Sequence, residues 1–148
     1  MSKVWVVAAD AAQARVFASD QRSGQSLQEV ETWVNPELRV PAHELVTDRP
    51  GRISESAGGG RHAMDPPTDI KEVESDRFAR ELVRWLEQAH QQKRFEHLVV
   101  AAAPHFLGQI RHHLDGGLKA AISHEVDKDI CHLERPEQIR KHLPDFLF

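Results

Sequence analysis

A glycine triplet flanked by basic side chains is the stretch of this sequence whose residue types best suit ligand chemistry. Glycine lets the backbone approach a ligand closely, and guanidinium groups make paired hydrogen bonds to phosphate oxygens. No lysine followed by serine or threonine comes after the triplet, so it is not a Walker phosphate loop. The pattern predicts contact with a phosphodiester backbone through Arg49, Arg52, Gly58, Gly59, Gly60, Arg61 and His62. The alternative is an irregular loop whose arginines are incidental.

His62 is also the candidate catalytic residue, because an imidazole titrates near neutral pH and can act as a general base. Ser54 and Ser56 lie within its reach along the chain as possible nucleophiles. A nucleophile requires a fixed geometry, and the sharp glycine-serine-glycine turn of many hydrolases is absent. We therefore expect both serines to make hydrogen bonds within the loop.

Acidic side chains suggest a second kind of site, in which several carboxylates hold two metal ions. Asp10 follows the first apolar run, and Glu72 or Glu74 would supply further oxygens from the first helix. The fourth predicted strand ends in alanines and Pro104, so such a cluster lacks an acid at its centre. We interpret Asp10 as a turn residue and predict neither a metal nor a cofactor.

The overall composition limits the classes of partner. A net charge of -4 over 148 residues gives no general basic character, so any nucleic-acid contact depends on a local patch. Cys131 is the only cysteine, so an intrachain disulfide is excluded. Because it lies near Ile130 and Leu133, we expect it to be a small buried apolar side chain. Asp10 interrupts the N-terminal apolar run, and no stretch is long enough to span a bilayer. We expect a cytoplasmic protein without a membrane partner, and the sequence does not indicate its oligomeric state.

The residues predicted for phosphate contact and catalysis all lie in one segment, residues 35–68, which contains five prolines as well as the glycine triplet. So much proline and glycine is incompatible with the period of a helix or a strand, which predicts one long irregular loop. Loops of about thirty residues are far longer than most connections and are usually functional or disordered. The rest of the chain must therefore supply the scaffold that carries this loop.

Hydrophobic periodicity predicts a scaffold of strands and helices. Continuous apolar runs indicate strands buried on both faces, and alternation indicates strands nearer the edge. Strands are predicted over 3–9, 13–19, 27–34, 97–103 and 123–130. Helices are predicted over 69–92, from Pro104, over 118–122 and from Pro136. At the C-terminus, the side chains expected to pack inward are Leu143, Phe146, Leu147 and Phe148.

The order of these elements predicts an α/β fold with a mixed five-stranded sheet. The first three strands follow each other closely, so we expect an antiparallel meander, and the later strands return through helical crossovers. The expected strand order is 3-2-1-4-5, with helices flanking the sheet in a single domain over residues 1–148. This is the layout of ribonuclease-H-like folds, which host many functions.

Four stretches of the sequence resemble the bacterial host attachment protein family. They are Trp5–Phe17, Leu45–Arg52, Gly58–Met64 and Glu125–Asp129. The resemblance covers nearly the whole chain, and the glycine-containing motif is its most specific part. That family is similar in turn to the middle domain of archaeal and eukaryotic class 1 peptide-release factors, which has the layout predicted above.

The resemblance implies the ribosome or structured RNA as the partner. In release factors the corresponding loop carries Gly-Gly-Gln, which helps to position water at the peptidyl-tRNA ester. The glutamine is missing here, and Arg61 can donate a hydrogen bond but cannot accept one. We therefore expect binding through the Arg49 to His62 loop rather than catalysis. Two alternatives are hydrolysis of peptidyl-tRNA or a related ester with His62 as the base, and a role as an interaction protein in surface attachment.

Overall fold

The computed structural model describes residues 2–36 and 68–148 of the chain. Its strands are β1 (Ser2–Ala9), β2 (Gln13–Ser19), β3 (Gln28–Val34), β4 (Phe95–Ala102) and β5 (Ile122–Val126). Helices α1 (Thr68–Gln91), α2 (Pro104–His113), α3 (Gly116–Ala121) and α4 (Pro136–Arg140) belong to the same described residues. Each of these elements was predicted from the sequence, with ends that differ by a few residues.

The five strands form one mixed sheet in the order β3-β2-β1-β4-β5, which confirms the predicted order. β1 pairs antiparallel with β2 and parallel with β4, so that Val6 lies opposite Phe17 on one side and Val99 on the other. β2 pairs antiparallel with β3, and β4 pairs parallel with β5. The likeness to ribonuclease-H-like folds stays a prediction from this order.

The central strands are covered on both faces, which explains why their sequences are continuously apolar. On one face, α1 and α2 pack over a core that includes Trp5, Val7, Val16, Phe78, Leu82, Leu98, Phe106 and Ile110. On the other face, the C-terminal residues cover a core that includes Val4, Val6, Phe17, Val99, Ile130, Cys131, Ile139 and Leu147. Burial of each large apolar side chain contributes about 2 kcal/mol to folding, so the two cores hold the sheet rigid from both sides.

Helix α1 confirms the apolar stripe predicted for it. Phe78, Leu82 and Ala89 are buried, and Trp85 is partly buried against the same core. These positions recur every three or four residues, which places them on one side of a helix. The opposite side of α1 is solvated, as its charged residues indicate.

Two details of the C-terminal third differ from the prediction. β5 ends at Val126 instead of continuing to 130, because the chain leaves the sheet there. Ile130 is instead buried in the core on the face that the C-terminal residues cover. Phe146 is 58% exposed, whereas the neighbouring Leu147 is fully buried. The ring of Phe146 lies under the guanidinium of Arg22, 4.8 Å from its centroid, so the aromatic side chain covers a cation instead of entering the core.

None of the described helices combines the length and the apolar character that crossing a bilayer requires.

Candidate functional site at the carboxyl edge of the sheet

The ends of four strands meet at one edge of the sheet. β1, β4 and β5 run parallel, and β3 runs in the same direction because β2 is antiparallel to both β1 and β3. We call this the carboxyl edge, and the residues that directly follow its strands are Asp10, Asn35, Ala103 and Asp127. In open α/β sheets, ligands bind beyond the carboxyl ends of the parallel strands.

The residues predicted for phosphate contact and catalysis lie outside the described residues. They are Arg49, Arg52, Gly58, Gly59, Gly60, Arg61 and His62. All belong to residues 37–67, which join Pro36 after β3 to Thr68 at the start of α1. The roles assigned to them stay predictions, and the structure describes the scaffold to which both ends of that segment are attached.

Asn35 fixes the point at which the chain leaves β3. The residue is 1% exposed. Its backbone N–H donates to the carbonyl oxygen of Ala12 at 2.8 Å, and its side-chain Nδ2 donates to the carbonyl oxygen of Ala11 at 3.1 Å. Nδ2 also lies 3.5 Å from the carbonyl oxygen of Glu74 in α1. Asn35 therefore ties the end of β3 to the β1–β2 turn and to the first long helix.

Arg77 completes this attachment from the side of α1. One terminal nitrogen of its guanidinium donates to Oδ1 of Asn35 at 3.0 Å. Its Nε donates to Glu74 at 3.0 Å, and the other terminal nitrogen donates to Glu81 at 2.6 Å. The hydrogen bonds to Glu74 and then Glu81 raise the pKa of Arg77. The Arg77–Glu81 pair lies one helical turn apart, as its spacing in the sequence indicates.

Asp10 confirms its interpretation as a turn residue. Its Oδ1 accepts hydrogen bonds from the backbone nitrogens of Ala12 at 2.8 Å and Gln13 at 2.9 Å. This is the local pattern by which aspartate stabilises a tight turn between two strands. The carboxylate also lies beside Asp129 and Cys131, and ligand atoms of the three residues are within 4.8 Å of one another.

The thiol of Cys131 is unsuited to nucleophilic chemistry. The residue is fully buried, and burial, followed by the charges of Asp10 and Asp129, raises the pKa of the thiol to about 12. Gln13 donates through Nε2 towards the carbonyl oxygen of Cys131 at 3.5 Å and its sulfur at 3.7 Å. The sulfur is therefore protonated at neutral pH, which confirms Cys131 as a small buried side chain.

Among residues 2–36 and 68–148, the group Asp10, Asp129 and Cys131 has a spacing suited to a metal ion. Two carboxylates and a thiol combine hard and soft ligands, and a metal would have to displace the thiol proton. The acids proposed from α1 do not join this group. Glu74 is engaged by Arg77, and Glu72 lies 2.5 Å from Nε2 of His105 in α2. The carboxylate cluster of a two-metal nuclease is therefore not assembled within the described residues.

A polar row between α1 and α2 was not predicted from the sequence. His105 contacts Glu72, and Nε2 of His113 lies 2.9 Å from Asp76. Between these pairs, Gln109 accepts a hydrogen bond from Ser75, which is 6% exposed. The signal was present in α2, because residues 105, 109 and 113 are spaced four apart and share one side of a helix.

A family model described as "protein required for attachment to host cells" matches residues 5–143. The chain belongs to this family. The matched range includes the residues of the carboxyl edge described above and the whole of residues 37–67. The family resemblance read from the sequence is thereby confirmed.

A related protein of Rickettsia prowazekii (strain Madrid E), described as uncharacterized, is 32% identical over 69 residues. The aligned part covers 45% of this host attachment family member and 46% of the Rickettsia protein. The match thus spans about half the length of that relative.

Proposed function

We propose that this host attachment family protein binds structured RNA, and in particular the ribosome, through Arg49, Arg52 and Arg61. These guanidinium groups would bind phosphate oxygens, while Gly58 to Gly60 would let the backbone approach the polyanion closely. The chain as a whole carries a net charge of -4, so attraction to RNA must come from this local basic stretch.

The observation that supports the proposal is the attachment of the segment that carries these arginines to a well-packed base. The segment leaves β3 at Asn35, which is 1% exposed and bonded to the β1–β2 turn. It returns at α1, which Arg77 and Glu74 connect to the same asparagine. A segment whose two ends are fixed close together on one scaffold loses less conformational entropy on binding than one with free ends.

Salt-dependent co-sedimentation with ribosomes tests the proposal. Wild-type protein should pellet with ribosomes at about 50 mM KCl and much less at about 200 mM KCl, because phosphate contacts release counterions. The double variant Arg52→Glu and Arg61→Glu should remain in the supernatant at both concentrations. The matched control is Arg80→Glu and Arg84→Glu, which reverses two exposed charges on the solvated side of α1. Equal pelleting of the Arg52→Glu and Arg61→Glu double variant and the wild type would refute the proposal.

Hydrolysis by the same loop is a separate possibility that a different assay resolves. Peptidyl-tRNA is incubated with wild type and with His62→Ala, and release of the peptide is followed. Under the binding proposal, neither protein accelerates release. Release by the wild type that His62→Ala abolishes would instead assign an esterase function to this loop.

A further inference from the structure

A groove with aromatic walls runs between the end of β3 and α1. Its volume is about 250 Å³. That is just below the roughly 300 Å³ at which pockets begin to hold a whole drug-sized molecule. The apolar residues that line it are Trp33, Val34, Pro36, Phe78, Leu82 and Trp85. The size and the aromatic walls of the groove therefore favour a single planar ring system as its ligand.

The two indole rings of the groove are held in place but stay accessible. The rings of Trp33 and Trp85 meet edge to face, with centroids 4.4 Å apart and planes at 84°. Trp85 also stacks on the buried Trp5, with centroids 5.4 Å apart. Both rings of the groove are only partly buried against the core. Because the cluster already fixes their orientation, a ligand that stacks on them does not have to order them first.

The charged side chains that line the groove already satisfy each other. Arg77 and Glu81 form an ion pair of 2.6 Å. The same guanidinium donates to Oδ1 of Asn35 at 3.0 Å. A charged ligand group would have to give up its hydration without gaining a free partner in this lining. The groove therefore favours an uncharged ring.

A cation beside the groove is available to an anion. The guanidinium of Arg94 lies 5.6 Å from the Trp85 centroid and 5.0 Å from that of Trp5. Arg94 is exposed, and no carboxylate within residues 2–36 and 68–148 forms an ion pair with it. Its donors can therefore bind phosphate oxygens. Proteins that bind single-stranded nucleic acid combine these two features, because bases stack on aromatic rings and cations contact the backbone.

The groove also lies where the segment with the proposed RNA-binding arginines begins. Trp33 is near the end of β3, and Pro36 is the last described residue before residues 37–67. The chain that carries Arg49 and Arg52 thus leaves the scaffold at the groove itself. One RNA molecule can therefore contact both.

We propose that the groove between β3 and α1 binds an unpaired base of the RNA, stacked against Trp33 and Trp85, while Arg94 contacts a neighbouring phosphate. The inference rests on the proposed function and names the form of RNA that the scaffold recognises, which is a single-stranded stretch. A duplex does not fit this site, because its bases are already stacked on each other. Every base has a π-face, so the preference for sequence is weak.

Binding of short RNAs to the full chain tests the inference. The probe is oligouridine of about ten nucleotides, and its control is an abasic ribose-phosphate oligomer of the same length, which keeps the phosphates and lacks the bases. Anisotropy of labelled ligand measures affinity. Quenching of tryptophan emission by unlabelled ligand reports on the groove, because all three tryptophans belong to the aromatic cluster. The wild type should bind oligouridine about tenfold more tightly than the abasic oligomer, and only oligouridine should quench the emission.

Two variants separate stacking from charge. Trp33→Leu should weaken oligouridine binding about tenfold and leave the affinity for the abasic oligomer unchanged, because it removes a stacking surface and no charge. Arg94→Gln should weaken binding of both ligands and lower the salt dependence by about one counterion. Its matched control is Lys141→Gln, which removes an exposed charge near the C-terminus and should change neither affinity. Circular dichroism verifies the fold of each variant, and the exposed Arg94 tests the site even if Trp33→Leu folds poorly.

Three results would overturn the inference and leave ribosome binding through Arg52 and Arg61 in place. The first is oligouridine binding that does not quench tryptophan emission, or that neither Trp33→Leu nor Arg94→Gln weakens. The second is binding of free uridine as tightly as oligouridine, which would assign the groove to a free nucleoside. The third is a concentration-dependent dimer in sedimentation velocity that Trp33→Leu dissolves, which would assign it to a second copy. If the wild type bound neither oligouridine nor ribosomes, the proposed function would fail as well.

Discussion

The side-chain oxygen of Asn35 accepts a hydrogen bond of 3.0 Å from Arg77, which fastens the end of β3 to α1. The two residues are 42 positions apart in the sequence, and the whole of residues 37–67 lies between them. Arg77 is itself oriented by Glu74 and Glu81, so the asparagine meets a donor whose direction is already fixed. The bond closes the base of the segment that carries the predicted basic residues.

Replacing Asn35 by alanine should therefore destabilise the protein. The change leaves the partly buried carbonyl oxygen of Ala11 without its side-chain donor and removes an acceptor of Arg77, at a cost of about 2 kcal/mol. Urea unfolding followed by tryptophan fluorescence measures the loss. The exposed substitution Gln28→Ala at the start of β3 is the control and should change the free energy of unfolding very little. A loss for Asn35→Ala no greater than that of the control would contradict the role of this anchor.

The sheet itself is predictable because its sequence signal is local. Val4–Ala9 and Leu98–Ala102 are apolar without interruption, and only a strand covered on both faces needs that composition. The short connection at Asp10 likewise limits β1 and β2 to antiparallel pairing. In such cases the residue types of a few neighbours determine the element and its partner.

The contacts of the candidate site are less predictable because they join distant parts of the chain. Asp129 and Cys131 reach Asp10 only because the chain after β5 crosses the end of β1. The local sequence does not indicate that crossing, because the apolar residue Ile130 is equally compatible with the end of a strand. The exposed position of Phe146 depends on Arg22, which is also remote in sequence.

The carboxyl of Glu87 should make stability depend on pH. Its pKa is raised, first by burial and then by its hydrogen bond with Asp115 and the charge of that residue. The folded protein therefore binds this proton more tightly than the unfolded chain does. The resulting stabilisation is present below the unfolded pKa and is lost as the pH rises through the folded pKa.

At neutral pH, Glu87→Gln should thus raise stability by about half a kcal/mol, because the solvent around this partly exposed group weakens the repulsion. The gain relative to wild type should shrink as the pH is lowered towards the ordinary pKa of glutamate. Thermal unfolding over this range measures it, and Asp115→Asn should give the same trend from the other partner. A Glu87→Gln variant that is less stable than wild type at neutral pH would show that the two carboxyl groups do not repel.

Cys131 should be unreactive in the folded protein. Burial and two neighbouring carboxylates hold the pKa of its thiol at about 12, so little thiolate is present. Labelling with a disulfide reagent at about pH 8 should be slow for the native chain and rapid after unfolding in guanidinium chloride. Because the chain has one cysteine, Cys131→Ser supplies the background rate directly. Equally fast labelling of native and unfolded protein would mean that the thiol is accessible.

Gly24 and Gly108 should respond in opposite directions to alanine. Gly24 has a φ of 65°, and a Cβ at this position would lie 2.5 Å from Cδ1 of the fully buried Leu147. Gly108 lies within α2, and a Cβ there would meet no heavy atom within 4 Å. The first position thus combines backbone strain with crowding, whereas the second has room for a methyl group.

Gly24→Ala should therefore lower the free energy of unfolding by about 2 kcal/mol. Gly108→Ala should raise it by about 0.5 kcal/mol, because alanine restricts the unfolded chain and favours a helix. Urea unfolding of the two variants beside wild type provides the comparison, with each variant serving as the control for the other. If Gly24→Ala were as stable as wild type, the turn after β2 would not be held against Leu147. The C-terminal residues would then cover their face of the sheet less tightly than the contacts indicate.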